Sequence, residues 1–208
     1  MTESTKNSGP KNPGTSGGFN RRDFLKGSGA VAATAALAAQ QAEAAEKEKK
    51  IKKGKSTIML NVNGSDHKLT VENRTTLLEA LRYNLDLTGA KPVSVSDGSS
   101  GASTVLVDGK PMLAYDMLAV AQEGKKIETV ESLGGKNPDA VPKAFVQHDA
   151  EQCGFCTPGF VVAVRAFLNK NPKATDDDIR KGLNGNLCRC GTYANIIEAA
   201  AAVVKGDA

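Results

Sequence analysis

Gln152-Cys153-Gly154-Phe155-Cys156-Thr157-Pro158-Gly159, with Asn186-Leu187-Cys188-Arg189-Cys190-Gly191 further along, holds all four cysteines of this 208-residue chain. The spacing is C-x2-C, a long spacer, then C-x-C. Two tight thiolate pairs suit a centre that takes four soft ligands and nothing else, a [2Fe–2S] cluster or a closed zinc site. Each pair stands just ahead of a predicted helix. Thr157 is placed to cap the first, with Pro158 in the first turn that proline prefers; the last helix begins near Tyr193. Two helix N-termini would turn free N–H groups and positive dipole ends toward one anionic centre. Two disulfides are the third reading, and the helix-start placement speaks against them.

Working outward, Pro138 to Gln152 reads as a helix with Val141, Phe145 and Val146 turned inward. Thr157 to Asn169 reads as a very apolar helix ending before Asn171-Pro172. Thr175-Asp176-Asp177-Asp178 is a capping-box start with acids in the first turn, leading to Leu183, and Asn195 to Val204 closes the set. Four helices with a metal site at one end make a small bundle. Upstream, Thr57 to Val62 alternates, Asn63-Gly64 is a type I′-like turn, and His67 to Val71 alternates again, so a hairpin is expected. Thr75 or Thr76 can cap a helix carrying Leu77, Leu78, Leu81 and Leu85 on one face. Thr104 to Val107 with Asp108-Gly109 predicts a second hairpin. His67 and His148 are lone histidines, expected to be an exposed strand residue and a surface or capping residue.

The strings QCGFCTPGF and GNLCRCG resemble the cluster motif of the iron–sulfur subunits of the xanthine oxidase family of molybdenum hydroxylases. The likeness runs from about Thr57 to Val204. One departure is Gly191-Thr192, where the family usually reads Thr-Gly, and a local loop change is expected there. The resemblance implies an α+β fold, with an N-terminal β-grasp, plant-type ferredoxin-like domain followed by the four-helix [2Fe–2S]-binding bundle. It implies Cys153, Cys156, Cys188 and Cys190 as cluster ligands, with Gln152 and Cys190 approaching the pterin of a molybdopterin (cytosine dinucleotide) cofactor on a large partner subunit. In the family the first domain carries a second cluster on C-x4-C-x2-C and a distant fourth cysteine. Here those positions fall on Val95, Ser100, Ser103 and Tyr115, so that cluster is expected to be missing.

Formal net charge is only +4, and that balance gives no reason to expect nucleic acid as a partner. Asn20-Arg21-Arg22-Asp23-Phe24-Leu25-Lys26, a mild Ala/Gly stretch from Gly27 to Ala39, and Ala42-Glu43-Ala44 resemble a twin-arginine export signal with its cleavage site. The expected division is 1–44 signal, 45–55 basic linker, 56–126 ferredoxin-like domain, 127–137 linker and 138–205 cluster-binding domain. The expected function is an electron-transfer subunit of a periplasmic molybdenum hydroxylase acting on aldehydes or N-heterocycles. A c-type cytochrome is a candidate acceptor, and no flavin subunit is expected. The competing reading is a non-catalytic docking or assembly protein with a structural cluster or zinc site.

Overall fold

The computed structural model describes residues 54–93 and 99–207. The export signal, the basic linker up to residue 53, and Val95 lie outside the described residues. Residues 52–208 form one compact unit.

The first half is a five-stranded mixed sheet. Strands β1 (Lys55–Val62) and β2 (Ser65–Glu72) pair antiparallel with Val62 opposite Ser65. Both turn residues, Asn63 and Gly64, have positive φ, 52° and 81°, the geometry of a type I′ turn. Strands β3 (Thr104–Val107) and β4 (Lys110–Leu113) repeat the device, with Asp108 at 50° and Gly109 at 73°. The two hairpins are joined by β5 (Lys126–Glu128), parallel to β1 and antiparallel to β3, giving the order β2-β1-β5-β3-β4. Ile127 therefore sits in the middle of the sheet, fully buried.

One face of β1 carries Ile58, Leu60 and Val62 inward at the period of two that a half-buried strand demands. Helix α1 (Leu77–Glu79) and a wider helical turn through Asn84 lay Leu77, Leu78 and Leu81 on this face, with Leu85 at its margin. Thr76 is the cap, exchanging a full capping box with Glu79.

The second half holds four helices: α2 (Ala140–Gln147), α3 (Thr157–Lys170), α4 (Asp176–Gly182) and α5 (Tyr193–Lys205). Their core is Val141, Phe145, Phe160, Val164, Ile179 and Ile196. Helix α2 is shorter than its sequence pattern, because Asp149 takes a positive φ of 49° and turns the chain toward the cysteines. Val146 does not face inward; it is 72% exposed, since one residue past Phe145 the helix has rotated by about 100° off the buried stripe. Thr157 is not a cap either. Cys156 occupies the cap position and Thr157 is the first helical residue. The predicted Thr175–Asp178 capping box is formed.

The halves meet where α3 lies on β3, through Leu106, Val162 and Ala166 with Val130 and Leu133 beside them. Asp139 anchors this side. Its carboxylate accepts from the Val141 N–H at 2.9 Å, capping α2, and pairs with Arg165 of α3 at 3.2 Å. Asp139→Ala removes a cap and leaves a half-buried guanidinium unpaired, so a loss of about 2 kcal/mol is expected in urea unfolding.

Candidate metal centre

Cys153 and Cys156 lie on the turn between α2 and α3, and Gly154, at φ 79°, bends the chain between them. The Cys156 carbonyl accepts the first intrahelical bond of α3, from Phe160 N–H at 3.0 Å. Cys188 and Cys190 lie on the loop from α4 to α5. That loop is gripped from both sides. On one side Leu187 N–H donates to the Ser100 carbonyl at 2.9 Å, and the buried Asn186 amide donates to the Gly101 carbonyl at 3.0 Å. On the other, Cys188 N–H donates to the Tyr193 hydroxyl at 2.7 Å, and Cys188 Sγ lies 3.2 Å from Thr192 Oγ1.

All four cysteines are free thiols, so the disulfide reading finds no pair here. Each acts electrostatically on its neighbours, Cys188 most strongly on Cys156 and Cys153 most strongly on Cys190. The first pair is the inner one, with Cys188 only 7% exposed and Cys156 half-buried; Cys153 and Cys190 are exposed. Among the described residues no three His, Cys, Asp or Glu side chains gather as a site for one metal ion. Two adjoining pairs are what a two-iron centre asks of its ligands, each iron taking two thiolates.

The electrostatics describe a site short of positive charge. Burial first, then the Cys188 thiol and the neighbouring cysteines, push Cys156 up to about 12. Burial also acts to raise Cys188, but the Thr192 hydroxyl, main-chain N–H groups and the Cys156 thiol outweigh it and bring it down to about 7. At Cys190 the Cys153 main chain acts to lower the pKa, yet the Cys153 thiol and burial carry it upward. Adjacent thiolates resist ionising together until a cation joins them. The Thr157 hydroxyl, next to Cys156, is buried with no hydrogen-bond partner. An orphaned donor beside four thiols and two helix N-termini fits an anionic cluster.

Three of the four cysteines line a cavity of about 460 Å³ whose opposite wall is Val93, Ser100 and Ala102. A larger hollow of about 650 Å³ between Phe167, Pro172 and Lys181 holds no cysteine or histidine, so the chemistry is assigned to the smaller one. The segment holding Ser100 and Ala102 thus borders the cysteine site directly. Its Ser100 hydroxyl donates to the Val93 carbonyl at 2.7 Å and accepts from Ala102 N–H, Ser103 is buried, and Tyr115 packs against the sheet core. Gln152 is exposed beside Cys153, and the His148 carbonyl accepts from the Asn195 amide at 2.9 Å. Asn186, Thr192 and Tyr193 were not singled out as site residues from the sequence. An asparagine directly after Gly185 and two places before a cysteine was the available signal for the first.

A mixed sheet beside helices that carry paired free thiols suits an iron–sulfur electron carrier, and the chain's relatives bear this out. Residues 129–201 match the [2Fe-2S] binding domain, and residues 18–38 match the twin-arginine translocation signal sequence. The aldehyde oxidoreductase iron–sulfur-binding subunit PaoA of Escherichia coli K12 is 40% identical over 196 residues, covering 86% of this chain and 85% of that one. The nicotinate dehydrogenase small FeS subunit of Eubacterium barkeri is 40% identical over 144 residues, covering 68% and 90%. Among solved structures, quinoline 2-oxidoreductase from Pseudomonas putida 86 superposes with a TM-score of 0.69 at 40% identity, over 74% of this chain and 99% of that one. The chain belongs to the family of iron–sulfur small subunits of the molybdenum hydroxylases. It is an electron-transfer subunit binding a [2Fe–2S] cluster, exported to the periplasm by the twin-arginine route.

Proposed function

We propose that Cys153, Cys156, Cys188 and Cys190 hold the [2Fe–2S] cluster, with the Cys156–Cys188 pair on the buried side and the Cys153–Cys190 pair on the outer side. The observation that carries this reading is four free thiols on two loops, three of them lining one cavity, with Cys188 buried and Cys153 and Cys190 exposed. When bound, the cluster supplies a one-electron carrier. The protein's part is to fix the four sulfurs and exclude water from the inner pair, which the Phe160 and Tyr193 rings, edge to face at 6.1 Å, help to do.

The outer pair opens on a rim where Phe155 is 56% and Leu187 50% exposed. On this reading the rim, with Gln152, meets a large molybdopterin-binding subunit that carries out hydroxylation of an aldehyde or N-heterocycle. The cofactor there is taken to be the cytosine dinucleotide form. The sheet half, 56–126, is read as a β-grasp domain without a cluster, 127–137 as a linker, and 138–205 as the four-helix cluster-binding bundle. Val95, Ser100, Ser103 and Tyr115 then stand as vacated ligand positions, and electrons leave to an acceptor other than a flavin subunit, a c-type cytochrome being the candidate.

Iron and acid-labile sulfide in the anaerobically purified complex test this. About two of each per small subunit and a single S = 1/2 EPR signal after reduction are expected. About four irons with two signals overturn the vacated-site reading, and a stoichiometric FAD subunit overturns the proposed acceptor.

A further inference from the structure

Thr192 opens α5, yet its side chain makes no capping hydrogen bond. A threonine in this position ordinarily takes extended backbone and accepts an N–H from the first turn; here φ is −75° and ψ 22°. The hydroxyl is spent elsewhere, on Cys188 Sγ at 3.2 Å. Gly191 makes this possible, because its φ of 84° folds the chain so that residue 192 lies back over residue 188. The Gly191-Thr192 order, where the motif departs from its pattern, therefore has a structural consequence: glycine takes the left-handed turn and threonine takes the sulfur. Tyr193 adds a second hold on the same residue through the Cys188 N–H.

In the metal-free chain either Thr192 or Cys188 can be the donor. A ligating thiolate has no proton, so in the loaded protein the threonine hydroxyl alone can donate. We propose that Thr192 donates an O–H···S hydrogen bond to the Cys188 thiolate and thereby raises the reduction potential of the cluster. This rests on the reading of Cys188 as a ligand. Reduction adds one electron, supplied by the reductant, to an already anionic centre. A hydrogen bond to a charged acceptor strengthens as negative charge accumulates on it, and more so at a buried sulfur. The bond accordingly favours the reduced form. Hydrogen bonds to the sulfurs are among the levers that set such potentials.

The test is an EPR-monitored redox titration of the full chain in its complex, comparing Thr192→Val, Thr192→Ala and Thr192→Ser with the parent, alongside iron content. Valine keeps the shape and deletes the hydroxyl. The Val and Ala variants are expected to keep their iron and to shift the reduced-to-oxidised ratio at fixed poise about tenfold toward oxidised, which is about 59 mV downward for one electron. The Ser variant is expected to stay with the parent. A merely structural residue would change the melting temperature and leave the midpoint in place. Full iron with an unchanged midpoint in the Val and Ala variants overturns the proposal and leaves the ligand assignment standing. Loss of iron in both also overturns it, since the hydroxyl would then act in retention. Cys188→Ala with full iron and an unaltered signal would instead overturn the ligand reading beneath it.

Discussion

Cys188→Ala is expected to yield a folded but colourless chain, with iron per subunit at least about tenfold below the parent. Cys188 is the most buried of the four cysteines, lines one cavity with Cys153 and Cys156, and is held in place through both its sulfur and its N–H. Without it the inner pair is a single thiol, and three thiolates remain for a centre that needs four. The helical core does not rest on that sulfur. Val141, Phe145, Phe160, Val164 and Ile196 pack among themselves, so the helix signal in far-ultraviolet circular dichroism should persist. Deleting one sulfur from a packed site costs about 1 kcal/mol in cavity terms, too little to unfold an ordinary domain. The larger loss is of the stabilisation that cluster binding adds to folding, so the variant should melt only about 2–4 °C below the metal-free parent. Retained iron and an unchanged EPR signal would remove Cys188 from the ligand set.

The local parts of this architecture were legible because their signals are local. Asn63-Gly64 and Asp108-Gly109 both adopt the positive φ that their residue types invite, and each sets the register of its hairpin. The leucine spacing from Leu77 to Leu81 likewise marked the face that packs under the sheet. What stayed hidden depends on contacts distant in sequence. Ile127 to Asn137 reads as a strand and a Gly-Gly linker, and that strand forms as β5, but its parallel pairing with β1 and antiparallel pairing with β3 leave no local signal. Val146 is apolar beside an inward Phe145, and only the helix phase decides that it faces out. Thr157 reads as a cap until Cys156 is seen to occupy the cap position. The cysteine spacing marks the C-x-C loop, yet the grip on that loop comes from the carbonyls of Ser100 and Gly101, the latter 85 residues before Asn186.

That long-range grip makes Gly159→Ala a damaging single-methyl change. Gly159 lies in the first turn of α3, where the loop carrying Gly101 passes directly over it. A Cβ at this position would overlap the Gly101 carbonyl oxygen, meet Ala102 Cα at 3.1 Å, and approach the Asn186 amide nitrogen at 3.2 Å. Two of the three obstacles are backbone, which cannot rotate away, and the third already donates to the Gly101 carbonyl. Relief therefore requires the 99–102 loop to lift off α3, carrying with it the carbonyls that hold Asn186 and Leu187. Overpacking of this kind costs about 3 kcal/mol, and for a domain of this size about 2–4 °C of melting temperature per kcal/mol. Gly185→Ala is the matched control, since its Cβ would meet nothing within 4 Å and its φ needs no glycine; it should stay within about 0.5 kcal/mol of the parent. Because the displaced carbonyls also position the C-x-C loop, Gly159→Ala should lose iron on dialysis faster than Gly185→Ala does. Equal melting and equal iron retention in the two variants would mean that the 99–102 loop does not clamp the metal centre.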